Sequence, residues 1–340
     1  MRQIKVRSGR AKFIFILTFL FILGFMWTGH SLIKGQYQPV DSSDKSIIDI
    51  NIPAQSSAKQ IARLLADHDL IHNEKVFLRY CSKTGYDNSL KAGHYQFSRS
   101  QSLQEIVQDI AMGRIVTVDF TIPEGYTIKE IGELLIDRGL CSKAEWQAAI
   151  DLQYDYDFLQ YNSNLKYPLE GFLFPDTYKV SENTDAETII KLMLNNFQKV
   201  WQESFATQVA NEKIYEIITI ASMIEKEAST ASERPTISGV IANRLRIKMP
   251  LQIDATVIYA LGEHKEVVYN VDLNVESPYN TYKYGGLPIG PIASPGQESI
   301  EAAINPEKHK YFYYVAKGDG SHHFSKTHDE HIRAKAKYID

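Results

Sequence analysis

The sequence predicts an α+β protein: an N-terminal transmembrane helix, then a small α+β module, then a mixed α/β domain with a long Gly/Pro/Tyr-rich loop. Three observations lead there. An apolar run from Phe13 to Ile33 follows a basic start, a strand-turn-helix unit occurs twice at a spacing of 70 residues, and residues 250–324 turn rich in Gly, Pro, Tyr, Asn and Ser. At 340 residues and 44% hydrophobic content, the chain can hold an anchor and two or more compact units.

The anchor comes first in the chain. Arg2, Lys5, Arg7, Arg10 and Lys12 form a basic tail over residues 1–12, and FIFILTFLFILGFMWTGHSLI over 13–33 has the length a helix needs to cross a bilayer. The preceding cations orient the N-terminus to the cytoplasm. A cleavable signal peptide would end in a small-x-small pair, whereas Met26, Trp27 and His30 stand there, so the segment reads as a retained anchor. The expected localisation is therefore single-pass in the cell (inner) membrane, with everything after Gly35 outside the cytoplasm. Residues 34–46 are polar and read as a linker. The chain carries a formal charge of −4, of which the basic tail's five cations leave −9 on the remainder, and that argues against nucleic acid as a partner. Cys81 and Cys141 could pair only if the fold brings them together.

The module, residues 47–121, begins the repeat. IPAQSSAKQIARLLADHDL at 52–70 matches IPEGYTIKEIGELLIDRGL at 122–140, pairing Ile52 with Ile122, Pro53 with Pro123, Ser57 with Thr127, and Leu65 with Leu135. Each copy reads as a strand, a turn, a hydroxyl N-cap and an amphipathic helix. A fainter third copy starts at Ser102. HYQFS at 94–98 and IVTVDFTI at 115–122 alternate like half-buried strands. The unit is thus strand, helix, helix, strand; it either binds a ligand or supports its neighbour.

The second domain, 122–340, reads as mostly helical from Glu145 to Leu194, interrupted by YPLEGFLFPDTYKV at 167–180. Three helices follow, from Asp185 to about Val209, Glu212 to about Ala228, and Ser232 to about Ile247, the last with a serine cap and an early proline. Residues 250–324 read as an ordered binding loop, and a last helix starts near Lys326.

One residue of this domain breaks its local pattern. In IYEIITIASMIEKEA the apolar positions Ile214, Ile217, Ile218, Ala221, Ile224 and Ala228 form one stripe, and Glu225 lies inside it. Measured from Ala221 at 100° per residue, Glu225 sits at about +40°, while Lys226 and Glu227 lie at about 140° and −120°, facing away. A carboxyl among aliphatics loses hydration, which raises its pKa and suits a general acid. The alternative is a buried acid paired with Arg234 or Arg244.

The loop SPYNTYKYGGLPIGPIASPG at 277–296 supplies what a polysaccharide site needs. Tyr279, Asn280, Thr281, Tyr282 and Tyr284 offer aromatic faces and polar groups between rigid turns; a purely structural loop is the competing view. Glu170 is either a second site carboxylate or an acid accepting backbone N–H bonds in a turn, and Asp254 reads first as a helix N-cap. His322, His323, His328 and His331 fit no metal-ligand spacing, so no metal is expected. Neither a G-x-S-x-G elbow nor a P-loop occurs.

Taken in order, EGFLFPDTY (170–178), IASMIEKEA (220–228), ERPTISGVIANRLRIKMPLQIDATVIYALG (233–262), the 277–296 loop and GDGSHHFSKTHDEH (318–331) resemble the endolytic murein transglycosylase, or YceG-like, family. The resemblance implies a LysM-like module followed by a catalytic domain whose glutamate follows A-S and two hydrophobic residues, here Glu225. Glu170, Gln252, Asp254, Asn280, Tyr282 and His322 match family motif positions and join Tyr279 as candidate substrate-binding residues. Ile253 and Ala255 depart from the family's usual polar residue and proline, and Ile332 stands where asparagine is frequent.

The activity implied is endolytic cleavage of the MurNAc–GlcNAc β-1,4 bond of nascent peptidoglycan to 1,6-anhydroMurNAc ends, terminating or trimming strands. It needs no cofactor. Its implied partners are the glycan strands, peptidoglycan synthases and the division or elongation machinery. Two rivals remain: a hydrolase using Glu225 with Glu170 or Asp254, and a non-catalytic peptidoglycan-binding scaffold.

Overall fold

The structure is a computed structural model that describes residues 18–20, 35–263, 265 and 267–339. It corrects the expectation of a single-pass membrane protein. Among the described residues no helix is long and apolar enough to cross a membrane. Apart from Thr18–Leu20, the segment 13–33 assigned as an anchor lies outside the described residues, as does the basic tail. The α+β class holds, since the described chain mixes helices with three two-stranded sheets. It divides into two compact units, one ending at Val118 and also taking in Ser181–Asn183, the other comprising Asp119–Val180 and Thr184 onward.

In the first unit, β1 (Ile48–Ile52), α1 (Ala58–Asp67), α2 (Glu74–Thr84) and β2 (Gly93–Phe97) follow in that order, and α3 (Leu103–Met112) completes it. The two strands are antiparallel, Ile50 opposite Tyr95 and Ile48 opposite Phe97. Alternation aims Ile50, Ile52, Tyr95 and Phe97 at Ile61, Leu65, Phe77, Ile106 and Ile110, all buried. Each such side chain contributes about 1.5–3 kcal/mol by leaving water. Ser57 with Gln60 and Ser102 with Glu105 form the capping boxes that start α1 and α3. Glu182 joins this unit through His94, whose Nδ1 lies 3.1 Å from its carboxylate.

The second copy of the repeat has the same element order. β3 (Thr117–Thr121), α4 (Ile128–Asp137), α5 (Lys143–Ile150) and β4 (Thr177–Ser181) follow one another, β3 pairs with β4, and Thr127 with Glu130 caps α4. Between α5 and β4, residues 151–176 form turns, so the predicted helical stretch ends at Ile150. Asp, Asn and Tyr crowd this segment, and short polar side chains compete for backbone hydrogen bonds, as where Asn162 Oδ1 accepts from the Asn164 N–H. Its aromatic residues still serve the core: Phe158 packs against Phe172 and Phe197.

Then come α6 (Ala186–Ser204), α7 (Ile214–Glu227), α8 (Arg234–Arg246), α9 (Asp254–Leu261), α10 (Gln297–Ile304), the hairpin β5 (Tyr313–Ala316) with β6 (His322–Ser325), and α11 (His328–Tyr338). Two caps differ from expectation. Ser232 sits in a 3-10 turn and α8 starts after Glu233 with no side-chain cap, while Asp254 is the first helical residue of α9, preceded by Ile253. The 250–324 segment also holds more regular structure than its composition suggested. α7 is central, packing on α8, α9 and α10. Its last turns are buried nearly all round, from Ala221 through Ile224, so a one-stripe wheel understates what they face.

Candidate active site

Glu225 sits in the final turn of α7, its side chain 7% exposed. Both of its oxygens have polar donors. Gly296 donates its N–H to Oε2 at 3.0 Å, and Arg234 Nη2 lies 3.4 Å from Oε1. The arrangement starts one turn earlier, where the buried Ser222 Oγ accepts the Ile292 N–H at 3.1 Å and seats the IASPG loop on the helix. Four residues along that loop, Gly296 meets the carboxylate. Thus the surround is not purely aliphatic, as the wheel implied, and the pairing with Arg234 weighed as an alternative is present.

Arg234 is the hub of this centre. Its Nη1 donates to Glu298 at 2.6 Å, its Nε to Ser299 Oγ at 3.0 Å, and its Nη2 also lies 3.8 Å from Glu124 Oε2. Burial first, and then the charge of Glu225, push the Glu124 carboxyl above its ordinary range, partly offset by Arg234. Sequence reasoning missed Glu124. The signal was in the repeat itself, where Ala54 and Gln55 of the first copy are replaced by Glu124 and Gly125 in the second. Gly125, at φ 77°, lies against Glu225: a Cβ there would be 3.6 Å from Glu225 Cγ. Beside the hub, a groove of about 860 Å³ runs between Ser232, Arg234, Gln297, Glu298 and Glu301.

A second cluster occupies the other side of α7. Glu227, which the wheel turned to solvent, accepts from Tyr314 OH at 2.9 Å, and burial raises its pKa against the help of that bond and of His322. His322 is held twice by Glu233, through its backbone N–H and through Nδ1, each at 2.8 Å. Asp254 is exposed and accepts from Tyr282 OH. Gln252 is exposed too, in a left-handed conformation at φ 50°, its N–H donated to Thr281 O. Arg244 donates instead to the carbonyls of Phe312 and Leu251. Of the predicted residues, then, Asp254 and Tyr282 meet directly, Gln252 is bonded through its backbone to Thr281, the residue before Tyr282, and His322 is held by Glu233.

Three predicted residues lie elsewhere. Glu170 is 1% exposed; its Oε1 accepts the Ile128 N–H at 3.1 Å and its Oε2 accepts Tyr259 OH at 2.9 Å, tying the start of α4 to α9. Burial pushes its pKa up to about 8. Tyr279 packs on Tyr259, and Asn280, fully buried, donates to the carbonyls of Leu273 and Val275. Neither presents a face to a sugar; they hold the loop's shape. Cys81 and Cys141 are free thiols.

Fold and site define an α+β protein built around a carboxylate and guanidinium centre at the end of a buried helix. The model of the YceG-like family matches residues 50–337, and the chain belongs to that family. It is 38% identical over 321 residues to the endolytic murein transglycosylase of Bacillus subtilis (strain 168), covering 90% of this chain and 89% of that one. The endolytic murein transglycosylase of Streptococcus pneumoniae serotype 2 is 29% identical over 360 residues; the match takes in 96% of this chain and 65% of that longer relative. A putative yceG-like protein of Listeria monocytogenes, solved by crystallography, shares 36% identity at a TM-score of 0.59, covering 86% of this chain and all of that one.

Proposed function

We propose that this protein is an endolytic peptidoglycan lytic transglycosylase with Glu225 as its catalytic acid and base. The observation that carries the reading is the seat of Glu225, fixed between the Gly296 N–H and Arg234 in a chain whose relatives bear that name. Glu225 protonates the oxygen of the MurNAc–GlcNAc β-1,4 bond as positive charge grows at C1. The carboxylate left behind is stabilised by the amide and the guanidinium, charge-assisted partners of the stronger kind. It then takes the proton of the same MurNAc's 6-hydroxyl, which closes on C1 and leaves a 1,6-anhydro end.

Asp254, Tyr282 and Gln252 form the proposed glycan-contacting surface, with His322, Glu170, Tyr279 and Asn280 holding the elements around it in place. The first unit is read as LysM-like, a reading supported by its β-α-α-β order. Peptidoglycan synthases are the expected partners, because nascent strands are their product.

A two-carboxylate hydrolase is the second reading. Glu170 suits it poorly, with both oxygens committed inside the core. The test is mass spectrometry of purified glycan strands incubated with the full chain and with Glu225→Gln. New 1,6-anhydroMurNAc ends from the wild type alone are expected. Reducing ends would replace the lytic step with hydrolysis, and an equally active Glu225→Gln, or no cutting by either protein, would overturn the assignment in favour of another carboxyl or a binding scaffold.

A further inference from the structure

Three carboxylates, Glu124, Glu225 and Glu298, share the single guanidinium of Arg234. Glu298 takes Nη1, and the other two compete for Nη2, at 3.4 Å from Glu225 and 3.8 Å from Glu124. The backbone is arranged to let both approach. Gly296 donates its N–H to Glu225, and a Cβ on Gly296 would collide with the Glu124 carboxyl, although the glycine's φ of −75° is open to any residue. The turn carrying Glu124 is pinned to the same loop by Gly125 N–H to Ser294 O and Ser294 N–H to Tyr126 O, both 2.8 Å, and Lys226 Nζ donates to Gly125 O at 3.2 Å. In the first copy of the repeat, Ala54 occupies the matching position.

We infer that Glu124 is a positioning residue for Glu225: it draws on the shared guanidinium and sets a second negative charge beside Glu225, so that Glu225 holds the proton it must donate. The inference rests on the reading of Glu225 as acid and base. The groups facing Glu225 are Glu124 from the turn before α4, Arg234 from α8 and, through Arg234, Glu298 from α10; Lys226 neighbours it on α7. The cations of this set are Arg234 and Lys226, and the Gly296 N–H is the neutral donor on Glu225 Oε2. Glu124 lies 3.8 Å from the Nη2 that Glu225 also approaches, and its side chain is half exposed.

The test is the pH–rate profile of strand cutting by the full chain and its Glu124→Gln, Glu124→Asp and Gly296→Ala variants. Glu124→Gln is expected to move the basic limb down by about half a unit to one unit, the coupling of two charges across a partly solvated gap, with KM within about twofold. Glu124→Asp should restore most of the limb, and Gly296→Ala, which displaces the carboxylate without removing it, should shift the limb the same way. A wild-type limb in Glu124→Gln, or a uniform loss at every pH with a lowered Tm, would overturn the inference. Should Glu225→Gln itself cut strands, the acid/base reading fails; if it is inactive while Glu124→Gln keeps the wild-type profile, only the role of Glu124 fails.

Discussion

Ser222 and Glu225 stand one helical turn apart on α7 and grip the same loop, Ser222 Oγ accepting the Ile292 N–H and Glu225 Oε2 accepting the Gly296 N–H. The hydroxyl sets the loop's height along the helix, and the carboxylate meets its end. An A-S-x-x-E pattern is therefore a spacing requirement: residues three apart lie on one face of a helix.

Replacing Ser222 with Ala leaves the Ile292 N–H without its acceptor in a fully buried site. A loss of about 1–3 kcal/mol is expected, read as a lower midpoint in denaturant unfolding. Strand cutting should fall with it, because the Gly296 N–H loses its registration on Glu225. A variant with wild-type stability and activity would show that the loop is held by other contacts.

Arg234→Lys keeps the charge and removes the fork. One ammonium cannot serve Glu225, Glu298 and Ser299 from the positions of three guanidinium nitrogens. Activity is expected to fall at least about tenfold, about 1.4 kcal/mol of barrier. Circular dichroism should remain unchanged. Full activity in the lysine variant would mean that charge alone matters at this position.

Glu170 makes stability depend on pH. Its folded-state pKa of about 8 lies above the ordinary 4.5, so the folded protein holds a proton that the unfolded chain has released. That contribution is complete below about 4.5 and is lost as pH rises toward about 8. Urea midpoints measured at pH 5 and pH 8 should differ more for the wild type than for Glu170→Gln, whose amide cannot ionise. Equal slopes in the two proteins would place the proton elsewhere.

Local chemistry was legible wherever it is decided locally. The hydroxyl caps at Ser57, Ser102 and Thr127 each start a helix, the repeat at 52–70 and 122–140 recurs as one element order, and α7 forms around its apolar periodicity. Periodicity also singled out Glu225, because a carboxylate inside an apolar stripe is visible within a few turns of chain. The wheel failed for Glu227, since it assumes one buried face and α7 is wrapped by three helices. Composition likewise described Tyr279 and Asn280 as surface for a sugar, and they are turned inward as the loop's own support.

The sequence by itself determined the family, the α+β class, where most helices begin, and which helix carries Glu225. Only the tertiary structure decided what Glu225 faces: Arg234 from the next helix, the Gly296 N–H from a distant loop, and Glu124 from the turn of the second repeat. Caps and stripes arise from neighbours a few residues apart, which the chain states directly. The partners of a buried carboxylate are chosen by packing between segments far apart in sequence, and those positions exist only once the core has formed.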